Sequence, residues 1–248
     1  MKKIILLFVI FNLLSCKNDS KEILEYDKEG NVISKMYVSN GDVLDSIIYF
    51  KNGVINKSFF YKKDKQLYYF KSFTSDGRII SEGNIVNKIK NGKWKYYDSN
   101  DRMRKIVEFK NISDEEYPNQ EWNFDENKKI DINKSNYFSY KFENPKFESK
   151  KINELTIKYI PLIKKGTSSI LVFSPDLNER FSNTKTIGKD SIGSSENFIF
   201  KVNIGFENAG KHNFRGYIVE YYYDKTLKKD VLQYKEKKTY IDIPITVN

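Results

Sequence analysis

One cysteine, one histidine and five arginines are all that 248 residues hold of these types. The lone cysteine, Cys16, leaves no intrachain disulfide and no thiolate cluster for a metal. The lone histidine, His212, has no second histidine for metal or acid–base work, and its segment "GKHNF" points to a solvent-facing side chain. The arginine shortage matters because the chain is basic, with 43 Lys and Arg against 33 Asp and Glu and a net charge of +10. Base readout and phosphate forks favour arginine, and the lysines are scattered, so nucleic acid is not the expected partner. A diffuse lysine field instead suits anionic polymers, at modest and salt-sensitive strength. Also missing are a helical apolar period, a recognisable Ser-His-Asp set, a Gly-x-Ser-x-Gly elbow and a phosphate loop. The stretch "DENKKIDINKSN" begins like a calcium loop at Asp125 and Asn127. It then puts Lys129 at a ligand position, Ile130 where glycine belongs and Asn136 where the bidentate glutamate belongs. No catalytic residue, metal or cofactor is expected.

Long hydrophobic runs are scarce too. The one present is the N-terminal "MKKIILLFVIFNLLSC", far short of the roughly 20 apolar residues that span a bilayer. Lys2 and Lys3 ahead of it make residues 1–15 read as a signal peptide. The end of that run, Leu13-Leu14-Ser15-Cys16, resembles a bacterial lipobox. The resemblance implies cleavage before Cys16, lipidation of that cysteine and a membrane anchor, most simply at the outer membrane. Residues 16–25 then form a charged tether. Charge directly after a lipidated cysteine also resembles the surface-export signal of some Bacteroidetes lipoproteins, which implies a place in the cell envelope that can face outward.

What the chain has in abundance is aromatic residues on a beat. Tyr26, Tyr37, Tyr49, Tyr61, Phe73, Tyr97 and Phe109 fall 11, 12, 12, 12, 24 and 12 positions apart, with Ile85 at the missed beat. Turn residues keep the same time at Gly30, Gly41, Gly53, Lys65, Gly77 and Asp101. Pairs such as Asn52-Gly53 tolerate the positive φ of tight hairpin turns. The intervening residues are β-branched or aromatic and often alternate. A step of 12 fits one strand plus one turn, so residues 26–111 predict an antiparallel meander of seven or eight strands. The segment "SEGNIVNKIKNGKWKYYDSNDRMRKIVEFKN", with Gly83, Gly92, Trp94, Tyr96 and Tyr97, resembles the variant MORN repeats of bacterial envelope proteins and of the YwqK-type antitoxin family. That likeness covers about a third of the chain and implies a MORN-like β-hairpin repeat sheet. The family is defined by shape and does not imply one chemistry.

Residues 112–134 turn polar and read as a linker or an irregular hairpin around Asp125–Lys129. Residues 135–248 carry six or seven strand-like runs without the beat, which predicts a β-sandwich. Within it, "GFENAGKHNFRGYIVEYYY" resembles the late strands of immunoglobulin-like or fibronectin-like domains. The fold class expected is therefore all-β: a repeat sheet followed by an immunoglobulin-like sandwich. Within the sandwich, the long polar stretch 174–197 is expected as a loop.

For function, the aromatic series is the candidate site: Tyr49, Tyr61, Trp94, Tyr96, Tyr97 and Phe109. Such rings stack on sugars or anchor a protein, but they also form the cross-strand ladder that holds a sheet together. Neighbours such as Tyr96 and Tyr97 point to opposite faces. The expectation is a non-enzymatic envelope lipoprotein that binds or scaffolds a protein or glycan partner. One rival is a lipid-anchored immunity or antitoxin-like protein that binds a single toxin. The other is a glycan-active enzyme using Asp114, Glu115 or Glu116.

Overall fold

Every regular element of the computed structural model is a β-strand among the residues it describes, 21–39, 43–61, 67–164, 167–174, 177, 187–191, 197–223 and 234–248. Cys16 and the segment expected as a leader, the turns expected at Gly41 and Lys65, and most of 174–197 lie outside them.

The turns explain the beat. Asp27, Thr74, Asp98 and Asp125 each open a five-residue turn, in which the N–H of the first residue donates to the carbonyl four positions on. A side-chain oxygen of that first residue accepts a further backbone N–H, the local closure that Asp and Thr favour. The fourth position takes positive φ and holds Gly30, Gly77, Asp101 or Lys128. Elsewhere the turns are of two residues with both φ positive, at Asn52-Gly53, Asn87-Lys88 and Ser113-Asp114, the geometry that matches strand twist.

These turns fold residues 21–123 into one antiparallel meander in sequence order. Its strands are β1 (Lys21–Tyr26), β2 (Val32–Ser39), β3 (Val43–Lys51), β4 (Val54–Tyr61), β5 (Leu67–Phe73), β6 (Ile79–Val86), β7 (Ile89–Tyr97), β8 (Met103–Ile112) and β9 (Glu115–Asn123). The sheet is wider than the 26–111 expected from the beat. β1 occupies part of the segment expected as tether, and β9 lies where a linker or irregular hairpin was expected, with the Asp125–Lys129 turn following it. The beat opens on Tyr26, the last residue of β1, and so misses the rest of that strand, and β9 carries no aromatic in phase with it. Register shifts recur between Glu25 and Tyr26, Tyr49 and Phe50, Ser72 and Phe73, and Tyr96 and Tyr97. Further shifts fall between Tyr37 and Val38, Glu82 and Asn84, and Glu108 and Phe109, so bulges accompany seven of the eight described pairings, and bulges add local twist.

The second half forms two smaller sheets. β10 (Tyr137–Phe142), β11 (Ile152–Ile160) and β14 (Phe198–Gly205) make one, and β13 (Ile187–Ser191), β12 (Ser168–Phe173), β15 (Gly210–Tyr223) and β16 (Tyr234–Val247) make the other, in those orders. β13 supplies a strand inside the stretch expected as loop. Strict alternation on β14 sends Phe198, Phe200, Val202 and Ile204 inward. They meet Leu155, Ile157 and Tyr159 of β11, Leu171 of β12, Phe214 and Ile218 of β15, and Ile241, Ile243 and Ile245 of β16 in one continuous core. The two sheets therefore pack face to face as a sandwich, and each such aliphatic side chain contributes roughly 1.5–3 kcal/mol by burial. Pro118 and Pro244 sit on β9 and β16, which lie at sheet edges where a missing N–H is tolerated.

Side chains of β9 bind the sandwich to the large sheet. The Asn119 carboxamide donates to the Tyr240 carbonyl at 2.9 Å and accepts the Tyr240 N–H at 2.6 Å, so it completes the edge of β16 as a neighbouring strand would. It also donates to Glu108 at 2.7 Å. The Tyr117 hydroxyl donates to the Lys238 carbonyl, and the Gln120 carboxamide oxygen accepts the Phe138 N–H. Glu121 and Asn136 exchange both backbone hydrogen bonds.

Candidate binding face of the sheet

Opposed residues in an antiparallel ladder share a face, so the register sorts the aromatic candidates. One face carries an apolar row: Met36, Ile47, Phe59, Phe70 and Gly83 pair in succession across β2 to β6. The Trp94 indole lies over Gly83, where any Cβ would stand 2.5 Å from the ring. Phe70 and Phe109 flank the indole at 5.7 and 6.3 Å between centroids, and its Nε1 donates to the Asn84 carbonyl at 2.9 Å. Lys90 covers it with its ammonium 5.1 Å from the indole and 4.7 Å from Phe109, held there by Glu116. Trp94 is 1% exposed and Phe109 7% exposed. These two candidates are packing members of the sheet. Tyr61, half-buried, leans on Tyr68 at 5.4 Å.

Beside the apolar row runs a polar one. Ser34, Tyr49, Lys57, Ser72, Ser81, Tyr96, Lys105 and Asn123 oppose one another in unbroken order from β2 to β9. The order Ser–Tyr–Lys occurs twice, four strands apart, which is roughly 19 Å at the usual strand spacing of about 4.8 Å. In each copy the lysine ammonium stands over the tyrosine ring, at 5.7 Å for Lys57 on Tyr49 and 5.4 Å for Lys105 on Tyr96. Lys105 also faces Glu121 at 3.7 Å, whereas Lys57 has no carboxylate within ion-pair range among the described residues. Tyr49 is 36% exposed. The lysines escaped the sequence reading. A signal existed: Ser34 and Ser81, Tyr49 and Tyr96, and Lys57 and Lys105 stand 47 or 48 positions apart, four beats of the repeat.

Tyr97 belongs to the opposite face. Its hydroxyl donates to Glu82 at 2.6 Å, and the ammonium groups of Lys71 and Lys95 lie 3.5 and 3.6 Å from the same carboxylate. Burial alone would raise the Glu82 carboxyl. Hydrogen bonds from the Tyr97 and Tyr69 hydroxyls and the two lysines outweigh it and hold the group below the ordinary glutamate value. Burial, and then the same carboxylate, push Tyr69 up to about 12 and Tyr97 higher still. Both tyrosines ordinarily titrate near 10, so between pH 10 and 12 the folded chain binds more protons than the unfolded one. Stability contributed by the cluster is complete below pH 10 and is lost as pH rises toward 12. The thermal midpoint is expected to fall steeply over that window and to flatten in Tyr69→Phe/Tyr97→Phe. Equal slopes in both proteins would refute the assignment.

The remaining candidates are dispersed. Asp114 and Glu115 lie exposed at the β8–β9 turn, and Glu116 is spent on Lys90. His212 stacks on Phe206 at 4.5 Å and donates to the Asn208 carbonyl. Asp125 closes its own turn through Asn127 and Lys129. Among the described residues, no three or more His, Cys, Asp or Glu side chains gather as a metal site, and no helix is long and apolar enough to cross a membrane.

No family model matches this sequence, and no curated protein matches it. Among solved structures, a point mutant of S. aureus TarM in complex with Fondaparinux, alpha-GlcNAc-glycerol and UDP is similar over 46% of this chain and 19% of that one, at 14% identity and a TM-score of 0.27. A second TarM structure gives 13% identity over 46% and 18% of the two chains, at the same TM-score of 0.27. The chain thus spans about a fifth of the TarM length, and a likeness of that size carries no inference about fold or activity.

Proposed function

We propose that this chain is a non-catalytic binding module of the cell envelope, anchored by lipid on Cys16, whose sheet holds an extended anionic polymer across its strands. The twice-repeated Ser–Tyr–Lys row supports the reading most. Each copy presents an ammonium beside a phenol on a face one residue thick, and the two copies can engage one chain at two points. Two weak contacts on one polymer reinforce each other by effective concentration. The net charge of +10, less the two of Lys2 and Lys3 once residues 1–15 are removed, favours an acidic partner, and the repeat geometry belongs to the MORN-like reading of residues 77–111. The sandwich fits an immunoglobulin-like module, with its third, sixth and seventh strands adjacent in one sheet and its first, second and fifth in the other.

The test uses the lipidated protein in detergent and a carboxylated polysaccharide immobilised on a sensor. Lys57→Ala or Lys105→Ala is expected to weaken binding severalfold, and the double variant by more than tenfold. Binding should fall as salt shortens the Debye length from about 10 Å at 0.1 M. Unchanged affinity in the double variant would remove the row as the site. Incorporation of labelled fatty acid that persists in Cys16→Ser would remove the anchor.

A further inference from the structure

At the end of the sandwich nearest the large sheet, the amine of a half-buried lysine meets a carboxamide set among fully buried polar groups. Lys237 Nζ donates to Asn136 Oδ1. Asn136, Tyr159, Glu220 and Thr239 are all fully buried. The other end of the carboxamide is held too: Asn136 Nδ2 donates to the Tyr159 hydroxyl at 2.8 Å and to the Ile160 carbonyl at 2.9 Å. The Tyr159 hydroxyl in turn donates to Glu220 at 2.7 Å. Glu220 stands directly across the β15–β16 ladder from Lys237, yet its oxygens are occupied by Tyr159 and by the N–H groups of Leu162 and Ile163. Among the described residues, no carboxylate lies within ion-pair range of Lys237.

As a hydrogen bond alone this arrangement is poor. It leaves an ammonium largely out of water with a neutral amide for company, which costs free energy unless the charge disappears. Burial pushes the Lys237 amine below its ordinary value, although Glu220 pulls it the other way. A neutral lysine amine is a nucleophile. Its target is adjacent, because Oδ1 is bonded to Cγ and contact with the oxygen places Nζ beside the carbon.

We propose that Lys237 and Asn136 join in an intramolecular isopeptide bond. The Nζ lone pair attacks Cγ, a new N–C bond forms, the Cγ–Nδ2 bond breaks, and Nδ2 leaves as ammonia. One proton must pass from Nζ to Nδ2. It passes within the tetrahedral adduct, where both nitrogens are bonded to Cγ, while the Tyr159 hydroxyl accepts from Nδ2 and is itself fixed by its bond to Glu220, so that the leaving nitrogen is held in place. Atoms and charge balance without an oxidant or co-reactant. Tyr159 stays protonated in this role because burial first, and the Glu220 charge second, raise its hydroxyl well above the ordinary tyrosine range. The product carries no charge to bury. It ties residues 101 positions apart, joining the chain where it enters the sandwich to the last strand. Asn136 also pairs with Glu121 of β9, so the same point fastens the sandwich to the sheet.

Peptide mapping of the full-length protein tests this without any variant. After digestion with trypsin, the Ser135–Lys141 peptide is expected to be joined to Glu236–Lys238 and lighter by one ammonia than the two together. Lys237→Arg is expected to yield Ser135–Lys141 unjoined and at full mass. Tyr159→Phe and Glu220→Gln, checked for native circular dichroism, should join at least tenfold more slowly than the wild type. Should Glu220→Gln fail to fold, Tyr159→Phe carries the positioning test. Recovery of Ser135–Lys141 and Glu236–Lys237 as separate, unmodified peptides from aged, folded wild-type protein would overturn the proposal. Joining at the wild-type rate in both variants would overturn the positioning role of Tyr159 and Glu220.

Discussion

Gly83→Ala is expected to destabilise the nine-stranded sheet by about 3 kcal/mol, the upper end for an overpacked site. The added methyl would stand 2.5 Å from the Trp94 ring atoms Cγ and Cδ2 and 2.6 Å from Cδ1. No small adjustment relieves that contact. The indole is held from both sides by Phe70 and Phe109 and pinned by its bond to the Asn84 carbonyl. It must tilt away, which exposes the apolar row and frees Lys90. Trp94→Ala on its own should cost about 3–5 kcal/mol. The informative protein is the double variant. Once the indole is gone, alanine at 83 has open space, and in a strand it should be slightly better than glycine, by about 0.5–1 kcal/mol. Urea denaturation of all four proteins therefore has a definite pattern to meet. A Gly83→Ala penalty of the same size with and without Trp94 would show that the contact is not its cause.

Asn119→Ala is expected to loosen the sandwich from the sheet, at a cost of about 3 kcal/mol. The side chain is 0% exposed and satisfies both the N–H and the C=O of Tyr240, together with Glu108. Its removal takes the carboxamide away from the N–H and C=O of Tyr240, at about 1–3 kcal/mol each before relaxation, while Glu108 keeps the Gln120 carboxamide. Asn119→Asp should be worse than alanine, since it loses the two donated bonds and sets a carboxylate against both Glu108 and a carbonyl. Tyr117 and the Glu121–Asn136 pair still bridge the halves, so each is expected to stay folded. The measurement is calorimetry of the full-length protein. One transition in the wild type should become two in Asn119→Ala, with new protease cleavage between 124 and 136. A single transition at an unchanged midpoint would mean that the carboxamide does not couple the halves. If the isopeptide forms, it limits this separation, and Asn119→Ala/Lys237→Arg should come apart further than either single variant.

Much of the fold was legible because its causes are local. Asp27, Thr74 and Asp98 close their own turns within five residues, and Asn52-Gly53 adopts its φ values without help from the rest of the chain. Alternation along β14 and the β-branched runs of β2 and β4 fix strand character in the same way. The all-β class, the meander and the sandwich follow. The ends of the sheet were harder. β1 is exposed along its whole length and β9 is polar and contains Pro118, so neither shows the period of a half-buried strand. Both are strands because a neighbour's free edge recruits them.

The candidate site divides along the same line. Aromatic spacing alone determined that a ladder exists and that Tyr96 and Tyr97 oppose each other across the sheet. Register decided the rest, and register is a property of pairs. It buried Trp94 over a glycine 11 positions earlier, turned Phe109 into its support, and placed Lys57 and Lys105 over Tyr49 and Tyr96. Contacts of longer range were beyond any local pattern. Asn119 finds Tyr240 across 121 positions, and Asn136 finds Lys237 across 101. The sequence by itself determined the class and the repeat, because turn chemistry and strand alternation act between near neighbours. Only the tertiary structure decided which aromatics face water, which lysines accompany them and where an amine meets an amide, because those depend on distant strands brought into one register.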